Sequence, residues 1–287
     1  MPTLIHHGLH IYYREERPPR RAAGGRPALI FLPGNTASSA NLGSELRYFG
    51  HRFRCLALDP PGTGRSARLT VWPADWWMLT AGVVAALMER LDLGPAVLVG
   101  SSGGGIVALL LALERSDLVT GVVADSCPPQ LRTADLRAQI AARRELLDRR
   151  RDESAAVQHP RSADSLGGFM RRQSLTWFWR RAHGPDWPAV IEADTDFLER
   201  LVRDGDHDPF GGHLDQVRCP VLLSGSLEDD VIGDLGARLE EMALTVPDCR
   251  LFLWPEGAHP LMWSAPVPFR RAVDDFLVDL ADPTGTP

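Results

Sequence analysis

The sequence predicts an α/β protein with a mostly parallel central sheet flanked by helices. Short, continuous apolar segments recur in the chain, at residues 27–34, 53–58, 96–100 and 219–226. Segments with helical spacing, such as residues 74–92, alternate with them. Continuous apolar strands are typical of sheets that are buried on both faces, and strand–helix alternation favours parallel strand order.

Composition and charge limit the class of protein. The chain has 287 residues, of which 44% are hydrophobic, with a formal net charge of −6. This size supports a full hydrophobic core, and the negative charge argues against a nucleic-acid partner, which needs a basic face. The N-terminus lacks the basic and apolar regions of a signal peptide, and no apolar stretch is long enough to cross a membrane. These features and four scattered cysteines predict a cytoplasmic protein that binds no membrane.

The middle of the chain differs from both ends. Residues 128–215 are rich in Arg, Asp, Glu and Trp, with helical spacing and no strand signal. The strand–helix alternation then resumes and ends with a helical segment near residue 270. The sequence therefore predicts an α/β core formed by residues 1–127 and 216–287, with an inserted helical cap at 128–215.

One of two adjacent serines has the surroundings of a nucleophile. A sharp turn from a buried strand into a helix needs very small residues two positions before and after the displayed side chain. Ser102 has Gly100 and Gly104 at these positions, whereas Ser101 has Val99 and Gly103. The sequence therefore predicts that Ser102, and not Ser101, is the nucleophile of a G-x-S-x-G turn.

A serine nucleophile needs a base and an acid that orients the base. His259 lies in a Gly-containing loop after a late apolar run, and the other eight histidines have plausible roles elsewhere. The preceding strand is followed by consecutive acidic residues, of which Asp229 is the preferred partner and Asp230 the reserve. Asp125, which follows an earlier strand, stays open as a third candidate.

Several segments together resemble one family. Beside the three candidate residues, the chain contains a D-x-P-G-x-G-x-S-like turn at 59–66, a loop at 31–35 that is similar to an H-G-x motif, and a segment at 264–277 that is similar to the one following a catalytic histidine. The chain thus resembles the α/β-hydrolase fold superfamily, in a form with a helical cap. Pro33 stands where the family often has His.

The resemblance implies a mechanism of acyl transfer. Ser102 attacks a carbonyl, His259 takes its proton, and Asp229 orients the imidazole. Gly103 and Asn35 donate backbone N–H groups to the oxyanion. The expected activity is hydrolysis of carboxylic esters, including lactones or thioesters, through an acyl-enzyme. No cofactor is expected, because no spacing matches a metal or nucleotide site.

Other functions stay open. A carbon–carbon bond hydrolase and a proline-type aminopeptidase use the same triad, and the latter needs cap acids such as Glu192, Asp194 or Asp196 to hold an amine. A binding protein or receptor with very low turnover is the alternative outside enzymes. Dehalogenation is excluded, because the predicted nucleophile is a serine and not a carboxylate.

The predicted partner is a small-molecule substrate. Trp177, Trp179 and Met170 in the cap segment are candidates for an apolar binding surface, although each could equally pack the cap onto the core. The sequence does not distinguish a monomer from a homodimer.

Overall fold

The computed structural model describes residues 2–19, 25–155 and 166–281, with side chains described outside 151–173. The strands are β1 (Thr3–His6), β2 (Leu9–Glu16), β3 (Leu29–Leu32), β4 (Cys55–Leu58), β5 (Ala96–Ser101), β6 (Val119–Asp125), β7 (Val221–Ser226) and β8 (Cys249–Trp254). The α-helices are α1 (Gly43–Gly50), α2 (Trp76–Arg90), α3 (Gly103–Glu114), α4 (Thr133–Ala155), α5 (Leu166–His183), α6 (Trp187–Leu201), α7 (Leu235–Thr245), α8 (Leu261–Ser264) and α9 (Pro266–Ala281).

The strands form one eight-stranded sheet in the order β1-β2-β4-β3-β5-β6-β7-β8. Among the described strands, β1 with β2 and β2 with β4 pair antiparallel, and the other neighbouring strands pair parallel. The predicted α/β class with a mostly parallel sheet is confirmed. Because the carboxyl ends of parallel strands share one edge, the loops after β3, β5, β6, β7 and β8 meet there.

Both faces of the central strands are buried, which explains their continuous apolar sequences. In β3, Ile30 and Leu32 belong to the core on the face covered by α2 and α3. Leu29 and Phe31 belong to the core on the opposite face, which includes residues of α1 and α9. Such a strand has no alternation of apolar and polar residues in its sequence, because every position is apolar.

In the described part of the segment between β6 and β7, the α-helices are α4, α5 and α6, and we call them the cap helices. Trp179 of α5, Trp187 of α6 and Leu146 of α4 share a small hydrophobic cluster of their own. The division into core and cap at 127/128 and 215/216 stays a prediction. Within the described ranges, no helix is both long enough and apolar enough to cross a membrane.

Candidate active site

The strand β5 turns directly into α3 at Ser102. Ser102 has φ 53° and ψ −123°, a conformation that non-glycine residues rarely adopt. Its N–H donates to the Asp125 carbonyl oxygen at 2.7 Å, which ties the turn to the end of β6. Ser101 is the last residue of β5 and is fully buried. The turn therefore displays Ser102 and hides Ser101.

The two flanking glycines are required by close backbone contacts. A Cβ atom on Gly100 would lie 2.1 Å from the carbonyl oxygen of Gly104. A Cβ atom on Gly104 would lie 2.1 Å from the carbonyl oxygen of Leu32 in β3. Because the obstructing atoms belong to the backbone, no side-chain rotation could relieve either clash.

His259 and Asp229 form a partly buried pair. Asp229 follows β7 and His259 follows β8, and His259 Nδ1 lies 2.8 Å from Asp229 Oδ2. The other carboxylate oxygen of Asp229 accepts from the N–H groups of Val231 at 3.0 Å and Ile232 at 2.8 Å. The Asp229 side chain is 1% exposed and that of His259 12%. The geometry suits a carboxylate that fixes an imidazole with Nδ1 protonated and Nε2 free to accept a proton.

The two alternative acids contact the same loop through its backbone. The Asp230 carboxylate accepts from the N–H of His259 at 3.0 Å. The fully buried Asp125 accepts from Ser224 Oγ at 2.8 Å and from the N–H of Met262 at 2.9 Å. Burial raises the pKa of Asp125 to about 7, which these hydrogen bonds oppose. Of the three acids, Asp229 is the one that the structure places against the His259 ring.

Ser102 and His259 line one cavity of about 740 Å³ between the core and the cap helices. This volume is in the usual range for small-molecule sites. In the described part of the chain, no hydrogen bond joins Ser102 Oγ to the His259 ring. Such contacts are often long without substrate and tighten in the complex. The walls are mostly apolar, and the polar groups that α4 contributes are Asp135, Gln139, Arg143 and Glu145.

Gly103 and Asn35, the predicted oxyanion donors, both line this cavity. Among the described residues, no acceptor is bound to the backbone N–H of either one. Gly103 begins α3, where the helix dipole also favours an anion. A Cβ atom on Gly103 would lie 1.9 Å from Asn35 Oδ1, so the two residues are in direct contact.

The turn at residues 59–66 supports the loop that contains Asn35. Buried Asp59 accepts from the N–H of Ser39 at 2.7 Å and from the N–H of Arg65 at 2.7 Å. Gly64 has φ 51°, and a Cβ atom there would lie 2.0 Å from Asp59 Oδ2. The aspartate and glycine of this motif thus shape a loop and do not face the cavity.

The predicted substrate-binding residues of the cap have different positions. Trp179 lines the cavity and also stacks on Trp187 with ring centroids 5.5 Å apart. Trp177 is 63% exposed and lies outside the cavity lining, so the expectation for it is wrong. On a helix, residue 177 points about 100° away from its neighbour Phe178, which does line the cavity. Met170 falls among the residues whose side chains are not described.

Sequence reasoning missed several cavity residues. Trp263 from α8 lines the wall, with its ring 5.0 Å from that of Phe178. No sequence signal marks Arg143 and Gln139 as cavity residues, because a charged helix sequence does not show which positions face inward. In the described ranges, no three His, Cys, Asp or Glu side chains gather as a metal site.

Comparison with known proteins identifies the family. A model of the alpha/beta hydrolase fold family matches residues 27–266, which is most of the chain. The chain belongs to the α/β-hydrolase family. The α/β-hydrolase core thus supplies the strand-end loops that carry Ser102, Asp229 and His259.

Two relatives of this α/β-hydrolase that match most of the chain carry the names of hydrolases. The "Putative carbamate hydrolase RutD" of Pseudomonas syringae is 26% identical over 88% of this chain and 93% of its own length. The "Serine hydrolase BPHL" of Mus musculus is 25% identical over 94% of this chain and 84% of its own length. The solved enol-lactonase of Burkholderia xenovorans shares the fold, with a TM-score of 0.71, 18% identity and coverage of 96% of this chain and 100% of its own.

Proposed function

We propose that this α/β-hydrolase cleaves carboxylic esters through an acyl-enzyme on Ser102. The observation that carries the proposal is the strained Ser102 turn facing the same cavity as the His259–Asp229 pair. Strained backbone at a displayed side chain persists only where the surroundings hold it, and it is concentrated at functional sites.

The proposed reaction has two halves. His259 Nε2 takes the proton of Ser102 Oγ as that oxygen attacks the ester carbonyl, and the imidazolium formed is stabilised by Asp229. The N–H groups of Gly103 and Asn35 bind the oxyanion, each contributing about 10²–10³ in rate. The alcohol leaves with the proton from His259, and water then releases the acid by the reverse sequence of proton transfers.

The walls of the cavity indicate the kind of ester. Ile106, Leu136, Leu146 and Trp179 offer apolar surface on which an acyl or alcohol group can pack. One relative carries the name "Putative carbamate hydrolase", and a solved structure with the same fold is named an enol-lactonase. Carbamates and lactones would meet the same nucleophile and base, so both belong in the substrate panel.

Two of the three candidate cap acids, Asp194 and Asp196, weigh against an aminopeptidase. Asp194 is fully buried and already hydrogen-bonded to Asn35 and paired with Arg143. Asp196 pairs with Arg144 at 2.5 Å. Both carboxylates are already paired with arginine side chains, so neither is available as the counter-ion of a substrate amine.

The test is steady-state hydrolysis of a panel of p-nitrophenyl esters, lactones, carbamates and proline arylamides by wild type, Ser102→Ala and Ser101→Ala. We expect ester turnover by the wild type, its abolition in Ser102→Ala, and substantial activity in Ser101→Ala. Equal losses in both variants would overturn the assignment of the nucleophile. Turnover of arylamides in preference to esters would overturn the ester assignment.

A further inference from the structure

The Asn35 side chain is held from two sides. Its Oδ1 accepts from Trp77 Nε1 of the core helix α2 at 3.0 Å. Its Nδ2 donates to Asp194 Oδ1 of the cap helix α6 at 3.0 Å. Between these contacts, Asn35 Oδ1 lies directly over Gly103. The Asn35 amide therefore joins the core helix α2, the cap helix α6 and the start of α3.

Asp194 is itself fixed by a buried ion pair. Its side chain has no exposed surface, and its Oδ2 is bound by Arg143 Nη1 of α4, whose side chain is 14% exposed. Arg143 Nη2 also donates to Gln139 Oε1 at 3.3 Å. Burial raises the pKa of Asp194, and Arg143 and Asn35 oppose that shift. Each carboxylate oxygen thus has a donor, one from the core and one from the cap.

A buried ion pair of this kind is a weak source of stability, because desolvation of the charges offsets much of their attraction. Its best-attested use is to specify one arrangement of the groups around it. The same two helices are already joined at the surface, where Arg144 pairs with Asp196 and Glu199. The feature that distinguishes the inner pair is the contact of Asp194 with Asn35.

We propose that Asp194 is a positioning residue for the oxyanion hole: the cap places its carboxylate so that Asn35 presents its backbone N–H beside that of Gly103. The inference rests on the proposed function, since it needs Asn35 to act as an oxyanion donor. It makes the cap a part of the catalytic geometry and not only a cover for the substrate.

The experiment compares Asp194→Ala with Asp196→Ala, its match on the outer pair of the same helix. The readouts are kcat and KM for a p-nitrophenyl ester and the affinity of phenylboronic acid, whose tetrahedral adduct on serine places an oxygen in the oxyanion hole. Loss of a whole oxyanion donor costs about 10²–10³ in rate, so a misplaced donor costs less. We expect Asp194→Ala to lower kcat and boronate affinity by about 10–100-fold with KM changed less than about threefold. Asp196→Ala stays within about twofold of wild type.

Two further variants separate positioning from folding. Asp194→Ala leaves Arg143 buried without its partner, which can prevent folding. The double variant Asp194→Leu/Arg143→Met removes both charges together and is expected to fold and to show the same loss of kcat. In an Asn35→Ala background, Asp194→Ala is expected to add less than about twofold, because both changes act on one donor.

The possible failures are distinct. A wild type that hydrolyses the ester, with Asp194→Ala as active as Asp196→Ala, overturns the inference alone. Losses that multiply fully in the Asn35→Ala background overturn it as well, since Asp194 would then act through another group. A wild type that neither hydrolyses esters nor binds the boronate overturns the proposed function, and the inference with it.

Discussion

At the scale of single residues, the site depends on which of three neighbouring carboxylates, those of Asp125, Asp229 and Asp230, orients the His259 ring. Asp229 contacts the His259 ring, whereas Asp230 binds the His259 backbone N–H and Asp125 binds the backbone N–H of Met262. Asp230 thus holds the backbone of His259, Asp125 holds the start of α8 just after it, and Asp229 orients the His259 ring. The division matters because only the ring contact sets the tautomer that a general base requires.

Asparagine substitutions distinguish these roles. Asp229→Asn is expected to lower kcat by about 10³–10⁴, because the amide no longer favours the imidazole tautomer that accepts the serine proton. Asp125→Asn is expected to stay within about tenfold of wild type at neutral pH. Burial raises the pKa of Asp125 to about 7 and so favours its uncharged form, which a neutral side chain resembles. Ester kinetics at pH 7, with melting temperature as the folding control, measure both.

The assignment of Asp229 fails under one result. If Asp125→Asn loses activity as severely as Asp229→Asn while keeping its melting temperature, the earlier strand supplies the acid. Asp230→Asn gives a matched control, since it changes the neighbouring carboxylate and leaves the ring contact in place.

At the scale of elements, the turn between β5 and α3 is fixed by sterics. Gly104→Ala would place a methyl group 2.1 Å from the Leu32 carbonyl oxygen and 2.7 Å from that of Pro33. We expect a loss of about 3 kcal/mol or more in the free energy of unfolding, because β3 and α3 would have to separate.

The matched control for Gly104→Ala is Gly82→Ala in α2. A Cβ atom on Gly82 would meet nothing closer than His6 Nε2 at 4.0 Å. This change is expected to stabilise the protein by about 0.5–1 kcal/mol, because alanine favours the helix. Urea unfolding of the two variants measures both effects. A Gly104→Ala variant as stable as wild type would contradict the tight approach of β3 to α3.

Local features of the site are predictable from the sequence, whereas contacts between distant segments are not. The requirement for glycine around Ser102 is local, so the spacing of Gly100 and Gly104 identified the turn. The contact between Asn35 and Asp194 joins residues 159 positions apart, and no periodicity or motif signals it. The prediction that Trp177 contributes to the binding surface fails for a related reason. A cluster of aromatic residues indicates a helix that packs, but it does not fix which side of the helix faces inward.

At the scale of the whole molecule, the end of α5 holds the loop that follows β3. Ser38 Oγ donates to the Ala182 carbonyl oxygen at 2.9 Å in a buried contact. His183 adds a second link: its Nδ1 accepts from the N–H of Gly64 at 3.0 Å, so its Nε2 carries the proton and donates to the Thr36 carbonyl oxygen at 3.1 Å. The cap and the core thus meet along the loop that carries the proposed oxyanion donor.

This junction predicts a dependence of stability on pH. Burial lowers the pKa of His183 from 6.5 to about 4, and the positive charge of Arg68 adds to the shift. The unfolded chain therefore binds a proton at higher pH than the folded chain. The stabilisation is complete above about pH 6.5 and is lost as the pH falls towards 4, by up to about 3 kcal/mol.

The measurement is urea unfolding from pH 7.5 to 4.5 for wild type and His183→Gln. We expect the free energy of unfolding of the wild type to fall more steeply with acid than that of the variant. Because Asp125 has a raised pKa and titrates in the same window with the opposite sign, the difference between the two proteins is the quantity to compare. Identical slopes would show that His183 gains no proton on unfolding in this range.

The proposed function depends above all on activation of Ser102 as a nucleophile by the fold. The most direct test is labelling with a fluorophosphonate, followed by intact-mass analysis of wild type, Ser102→Ala and Ser101→Ala. We expect a single adduct on the wild type, the same adduct on Ser101→Ala, and none on Ser102→Ala. No adduct on a folded wild-type protein, or an adduct that persists in Ser102→Ala, would contradict it.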